Sequence, residues 1–272
     1  MSPVVPGGTF KRSYDTLTYN DPGFPATVSA VRVDKYEATV GRFRKFKAAW
    51  DTGWKPAAGT GKHAHLNGGN GLADSSGTAA YEPGWDATWN VSVQPTDANL
   101  NCGTNGWTTT PGAKENWPMT CLNWFESHAF CIWDGGFMPS ETEWNYAAAG
   151  GDEQRVYPWS APPASTTIND SYAVYCGANC TNLHQVGMKP LGVGRFGQLD
   201  FAGNMHEMVL DWWHDPYKNP CTDCAHFAPS STGRIGRGGS AGFAAVDVRV
   251  SHRWPQTLSS RGGAGVRCAR AP

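Results

Sequence analysis

The sequence predicts an α+β domain, irregular and loop-rich, with few helices and short antiparallel strands. Three observations carry this. With Gly at 33 and Pro at 19 of 272 residues, the chain is broken too often for long regular elements. Trp at 13 beside only 17% charged residues describes an aromatic-packed globule rather than a helical bundle. Helical periodicity appears in only a few short windows. No linker and no internal repeat interrupts the chain, so residues 1–272 read as a single domain.

Residues 1–38 set short apolar runs (Val4-Val5, Thr27-Val28, Val31, Val33, Tyr36) between Gly and Pro, the pattern of short strands. From Thr39 the period changes: Val40, Phe43, Phe46 and Trp50 share one face of a helix of about three turns. Residues 51–118 form the longest irregular stretch. Trp54, Tyr81, Trp85, Trp89, Trp107 and Trp117 make it an insert ordered by packing and suited to a binding surface. Asn123 opens a helix running to about Trp133, closed by Gly135-Gly136. Ser140 and Glu143 form a capping box that opens another. Beyond Gly150 loops return, with strand-like runs at Val246–Val250 and Gly265–Ala269.

The net charge of -1 gives no electrostatic reason to expect nucleic acid or an anionic membrane as partner. No apolar run approaches membrane-spanning length, and the chain is expected to be a monomer. Its cysteines, at 102, 121, 131, 176, 180, 221, 224 and 268, are even in number, and four fall in two tight pairs. Disulfides are the leading reading and place the protein in an oxidising compartment: periplasmic, cell-surface or extracellular. Met1-Ser2-Pro3 runs into Val4-Val5-Pro6-Gly7-Gly8 with no signal-peptide pattern, as in a mature or trimmed chain. Cys221-Thr-Asp-Cys224 has zinc-knuckle spacing, but no second half-site follows it.

Eight segments, in order, carry a resemblance: Val5–Phe10, Asp34–Thr39, Cys121–Trp133, Met138–Trp144, Tyr157–Trp159, Gly197–Trp213, Arg237–Ser240 and Gly265–Ala269. Over essentially its whole length the chain resembles the formylglycine-generating-enzyme, or sulfatase-modifying-factor, family. The resemblance implies that family's variant of the C-type-lectin-like fold. It implies a Cys131–Cys268 disulfide, which leaves Cys102 with Cys121, Cys176 with Cys180 and Cys221 with Cys224. It also implies a structural calcium ion held by the carboxylates of Asp200 and Glu207 and the backbone carbonyls of Gly203 and Met205. An all-oxygen set of this kind is what a hard cation prefers. The alternative has Asp200 capping a turn and Glu207 pairing with an arginine.

The resemblance fails where the family does its chemistry. Those enzymes bind copper with two cysteines located between the Gly-Gly-Ser segment and the final arginine-cysteine. Here no cysteine occurs from Ala225 to Arg267, and the corresponding positions fall near Asp247 or Val248 and near Ser251. Neither residue can replace a thiolate, so no copper and no formylglycine formation are expected. The family's Gly-Asn-x-Trp-Glu-Trp appears as Gly203-Asn204-Met205-His206-Glu207-Met208, without either tryptophan. His206, His252 and Asp247 would match a two-histidine, one-carboxylate iron site; alternatively His206 fills a tryptophan's volume. His63-Ala-His65 lacks a nameable third ligand. No Gly-x-Ser-x-Gly, phosphate loop or His-Glu-x-x-His occurs. Asp211, His214 and Asp215 read as surface hydrogen-bonders.

Two functions follow. The first is a non-catalytic ligand-binding or structural protein, recognising a small-molecule, carbohydrate or protein ligand with loop 241–264 and the Trp-rich insert. Phe243, Asp247, Ser251, His252 and Trp254 would make the contacts. The alternative is a diverged metal-dependent oxidase using the histidine site.

Overall fold

The computed structural model describes residues 2–102, 106–177, 180 and 182–272. The punctuated N-terminus forms strands β1 (Val4–Val5), β2 (Gly8–Lys11), β3 (Pro25–Val28) and β4 (Val31–Val33). β2 and β3 pair antiparallel, while β4 lies between β1 and β11 (Ala269–Arg270), antiparallel to both. The sheet that matters for function has the order β10 (Ala264–Gly265), β6 (His206–Trp212), β8 (Arg234–Arg237), β9 (Arg253–Gln256). Its β6–β8 and β8–β9 ladders are antiparallel. Two pairings depart from the expected pattern by being parallel: β10 with β6, and β5 (Ala73–Asp74) with β7 (Cys224–Ala225).

Helix α1 (Val40–Asp51) starts where Thr39 accepts a hydrogen bond from the Arg42 amide, and it buries Val40, Phe43, Phe46 and Trp50. Each such side chain contributes roughly 1.5–3 kcal/mol of transfer free energy. A short helix α2 (Asp97–Leu100) follows within the insert. Helices α3 (Trp124–Trp133) and α4 (Glu141–Ala148) both carry capping boxes, Asn123 with Glu126 and Ser140 with Glu143. Phe43 and Phe46 of α1 pack against Phe130 of α3, and Trp85 and Trp107 of the insert are buried in the same cluster.

The strand expected at Val246–Val250 does not form. Residues Ala245–Val248 make a 3-10 turn instead. Arg237 explains this: its terminal nitrogens donate to the carbonyls of Val250, Ser251 and His252 at 2.7–3.2 Å, taking acceptors that a ladder would need.

The disulfides are Cys102–Cys121, Cys131–Cys268, Cys176–Cys180 and Cys221–Cys224, so all eight cysteines are joined and none is a zinc ligand. Cys131–Cys268 closes a separation of 137 residues and fastens α3 to the chain entering β11. On chain-entropy grounds such a loop stabilises by ~4–5 kcal/mol.

One buried triad ties the insert to α4. His63 Nδ1 lies 2.9 Å from Glu82 and Nε2 lies 2.9 Å from Glu143, with all three side chains buried. Burial opposes a charged ring, but Glu143 and Glu82 outweigh it and raise the His63 pKa from 6.5 to about 10. The folded state therefore holds a proton that the unfolded chain releases above its ordinary pKa. Stability from this proton is complete below about 6.5 and is lost as pH rises through about 10. His63→Ala, which leaves two carboxylates facing a hole, is expected to cost ~3–5 kcal/mol in denaturant unfolding. It should also remove the alkaline decline between those pH values; a variant as stable as the parent would refute the triad's role.

Candidate functional site

The C-terminal loop is mounted on the four-stranded sheet. β6 begins with His206, which is in register with Ala264 of β10, and β9 places Trp254 opposite Gly236 of β8. Between β8 and β9 the chain turns at Gly238-Gly239, both with positive φ. A side chain at Gly239 would meet the Asp247 carbonyl at 2.7 Å, so the loop folds back directly over this turn. Arg237 then holds the loop's far limb from below.

This mounting brings five of the expected residues together. His206 and Phe243 meet edge to face with ring centres 4.6 Å apart, and Phe243 meets Trp254 likewise at 5.5 Å. His252 lies 6.2 Å from Trp254, and its Nε2 is 3.6 Å from Asp247 Oδ1. Trp254 is 41% exposed while His206 is 5% exposed, so a buried imidazole backs an open indole platform. Burial, reinforced by His252, lowers His206 to about 4, and burial also lowers His252. The His206 ring is therefore neutral at physiological pH. His206 Nε2 has no partner.

Ser251 is a correction. Its side chain is fully buried and its hydroxyl donates to Asp15 at 2.7 Å, so it supports the loop from inside and cannot touch a ligand. Of the insert's aromatic residues, Trp85 and Trp107 are core and do not extend this face, whereas Trp54, Trp89 and Trp117 are partly buried and Tyr81 is exposed. Asp211 is a second correction. It is buried and accepts from the amides of Glu141 and His226 rather than facing solvent. Tyr19 is a residue the sequence reading missed: its ring lies 6.3 Å from His252 and lines an adjoining cavity of about 310 Å³ with Arg12, Tyr217 and Arg253. Nothing local to Tyr19 signals this, because a separation of more than 230 residues is bridged only by the fold.

As the side chains stand, no group of three or more His, Cys, Asp and Glu among the described residues is placed to hold a metal. His206, His252 and Asp247 therefore do not converge as the iron reading expected, although His252 Nε2 lies 3.6 Å from Asp247.

The Asp200–Glu207 loop presents a different balance. Glu207 receives the Arg267 guanidinium on both oxygens, at 2.7 and 2.9 Å, and the Trp144 indole N–H at 2.7 Å. The arginine pairing considered for Glu207 is therefore present. Asp200 accepts from the Gly187 amide at 2.6 Å, and Asp200, Gly203 and Asn204 all have positive φ, which curls the loop tightly. Glu37, quoted above only as part of a family segment, proves to belong here. It accepts from Asn204 Nδ2 at 2.7 Å and from the Met205 amide at 3.2 Å. Three buried carboxyls thus surround one guanidinium. Burial, then Asp200 and Glu207, push Glu37 well above the usual carboxylate range, and burial lifts Asp200 to about 6. Carboxyl oxygens are the donor type a hard cation prefers, but as the side chains stand these three are not gathered into a metal-holding group.

Comparison with known proteins agrees with this architecture. Residues 2–272 match the profile of the sulfatase-modifying factor enzyme 1-like domain. The formylglycine-generating enzyme of Thermomonospora curvata is 28% identical over 99% of this chain and 93% of its own length. The inactive C-alpha-formylglycine-generating enzyme 2 of Bos taurus is 41% identical over 57% of this chain and 51% of its own. Among solved structures, PvdO from Pseudomonas aeruginosa superposes with a TM-score of 0.65 at 22% identity, covering 99% of this chain and 93% of that one.

Proposed function

Since the chain belongs to the sulfatase-modifying factor enzyme 1-like family but carries no thiolate on the loop that would need one, we propose that it is a non-catalytic, exported binding protein whose C-terminal loop recognises a carbohydrate. The observation that carries this reading is the pairing of two facts. All eight cysteines are consumed in disulfides, and the loop offers instead an exposed Trp254 flanked by Phe243, His252 and Asp247. An indole face presents a large rigid apolar surface to a sugar ring, and the imidazole and carboxylate beside it accept and donate the ring's hydroxyl hydrogen bonds. The disulfides support an oxidising location. No helix among the described residues is long and apolar enough to cross a membrane.

The same reading assigns a structural calcium ion to the loop of Asp200, Gly203, Met205 and Glu207, with Glu37 beside it. The ion would neutralise the surplus of buried carboxylates and fasten the start of β6 to the N-terminal segment.

Three outcomes test these statements. On a glycan panel, the ligand that binds best should quench tryptophan fluorescence, and Trp254→Ala should weaken it by ~2 kcal/mol or more, the loss typical of a central aromatic anchor. Incubation with copper, reductant, oxygen and a Cys-x-Pro-x-Arg peptide should give no aldehyde; turnover above a no-protein control would overturn the binding reading. For calcium, chelation should lower the melting temperature, because an ion bound only by the folded state stabilises it by ~2.7 kcal/mol at a hundredfold excess over Kd. Asp200→Ala should melt lower and lose the response to chelator. A parent protein indifferent to chelator removes calcium from the account.

A further inference from the structure

A second site lies at the opposite end of β6 and β8, where Trp212 is in register with Arg234. A cavity of about 290 Å³ opens there. Its walls are Trp89 from the insert, Trp124 from α3, Trp212 from β6 and Phe227, and Arg234 and His128 lie in the lining. The guanidinium carbon of Arg234 is 3.8 Å from the Trp124 ring centre and 3.9 Å from that of Trp212, so its flat faces are covered by indoles.

The charge of Arg234 is unanswered. The residue is 5% exposed, donates one bond of 2.6 Å to the Leu210 carbonyl, and leaves Nε without a partner among the described residues. Among the described residues it forms no ion pair. Asp211 spends its two oxygens on the amides of Glu141 and His226, and Glu82 at the cavity rim is held by His63. Burial, partly offset by Asp211, lowers Arg234 to about 9, which leaves it cationic at neutral pH. His128 is 1% exposed, and neither ring nitrogen has a partner among the described residues. Burial, then Arg234 and His63, hold its pKa near 3, so it is a neutral ring with one donor and one acceptor to offer.

We propose that this cavity binds a small planar carboxylate, an aromatic or heteroaromatic acid whose carboxylate pairs with Arg234 and whose ring lies among the tryptophans. A buried guanidinium without a counter-ion is costly, and an entering carboxylate supplies both the missing charge and the missing acceptors. A cationic ligand, the usual guest of an aromatic cage, is repelled here because Arg234 already occupies the cation–π position. A bare inorganic anion would leave the apolar walls wet. The volume suits one or two fused rings, at the small end of ligand cavities. A ring heteroatom would meet His128.

The test uses the intact chain with indole-3-acetate and its neutral isostere, indole-3-acetamide, in parallel calorimetric titrations. The acid should bind about ten- to a hundredfold more tightly than the amide, the difference made by a charge-assisted pair in a buried site. It should also shift the imidazole resonances of His128. Arg234→Gln, checked for folding by circular dichroism, should abolish the preference for the acid; should that variant misfold, the acid–amide comparison on the parent protein still decides. Trp254→Ala should bind the acid as the parent does. Equal affinity for acid and amide, no heat from either, or loss of acid binding in Trp254→Ala would each overturn the assignment.

Discussion

The buried pair of Arg267 and Glu207 is the interaction on which the rest of this architecture hangs. Arg267 binds both oxygens of Glu207 and also donates to the carbonyls of Asp34 at 2.9 Å and Leu199 at 2.8 Å. One fully buried side chain thus joins β6, the end of the N-terminal sheet and the loop before Asp200, and its neighbour Cys268 fastens the same point to α3. Removing either member of such a pair typically costs ~3–5 kcal/mol, because the survivor is left charged in the core. The need arises from the lack of regular structure. A loop-rich chain cannot satisfy its interior carbonyls through ladders and helices, so long donors must reach them. Arg237 does this for Val250, Ser251 and His252, and Arg253 for His214 while paired with Glu141.

This division explains how far the sequence could be read. The helices were legible because their signals are local: Thr39, Asn123 and Ser140 cap their own chains, and apolar spacing marks the buried face of α1. The family resemblance supplied the long-range Cys131–Cys268 bond, which spacing alone could not. The run Val246–Val250 misled for the opposite reason. Its alternation satisfies the strand rule, but strand formation needs free acceptors, and these are claimed by an arginine ten or more residues earlier. Ser251 fails as a contact residue by the same cause, since the turn that Arg237 enforces points its hydroxyl at Asp15. The insert's tryptophans read as packing groups that also build a binding surface, and the sequence does not say which of them do which. Trp85 and Trp107 complete the core around α1 and α3, and irregular backbone is no measure of exposure.

The C-terminal loop also separates scaffold from chemistry. The loop is held by the Gly238-Gly239 turn, by Arg237 beneath it, and by the sheet that carries His206 and Trp254. The chemistry at its tip is that of aromatic and imidazole rings, with no cysteine from Ala225 to Arg267. A family match across residues 2–272 is therefore a statement about mounting, and the activity has to be argued from the side chains mounted.

Arg237 and Arg234, three positions apart on β8, face opposite sides of the sheet and make the point quantitatively. Arg237 is saturated at its terminal nitrogens by Ser13 and three backbone carbonyls, with Glu141 3.8 Å away as a counter-charge. It has bonds enough to be structural. Arg234 is also buried, and its Nε, like that of Arg237, lacks a partner among the described residues; but it has only one carbonyl and two indole faces and, among those residues, no paired carboxylate. Indole faces supply only a cation–π attraction of ~2 kcal/mol when desolvated, well below the several kcal/mol that desolvating a guanidinium costs. A structural role alone would be served better by an apolar side chain of the same size. A carboxylate entering the cavity would complete the arginine's coordination, so on one strand the cation with four acceptors and a nearby carboxylate builds the fold, and the cation with a single acceptor is the proposed place for a ligand.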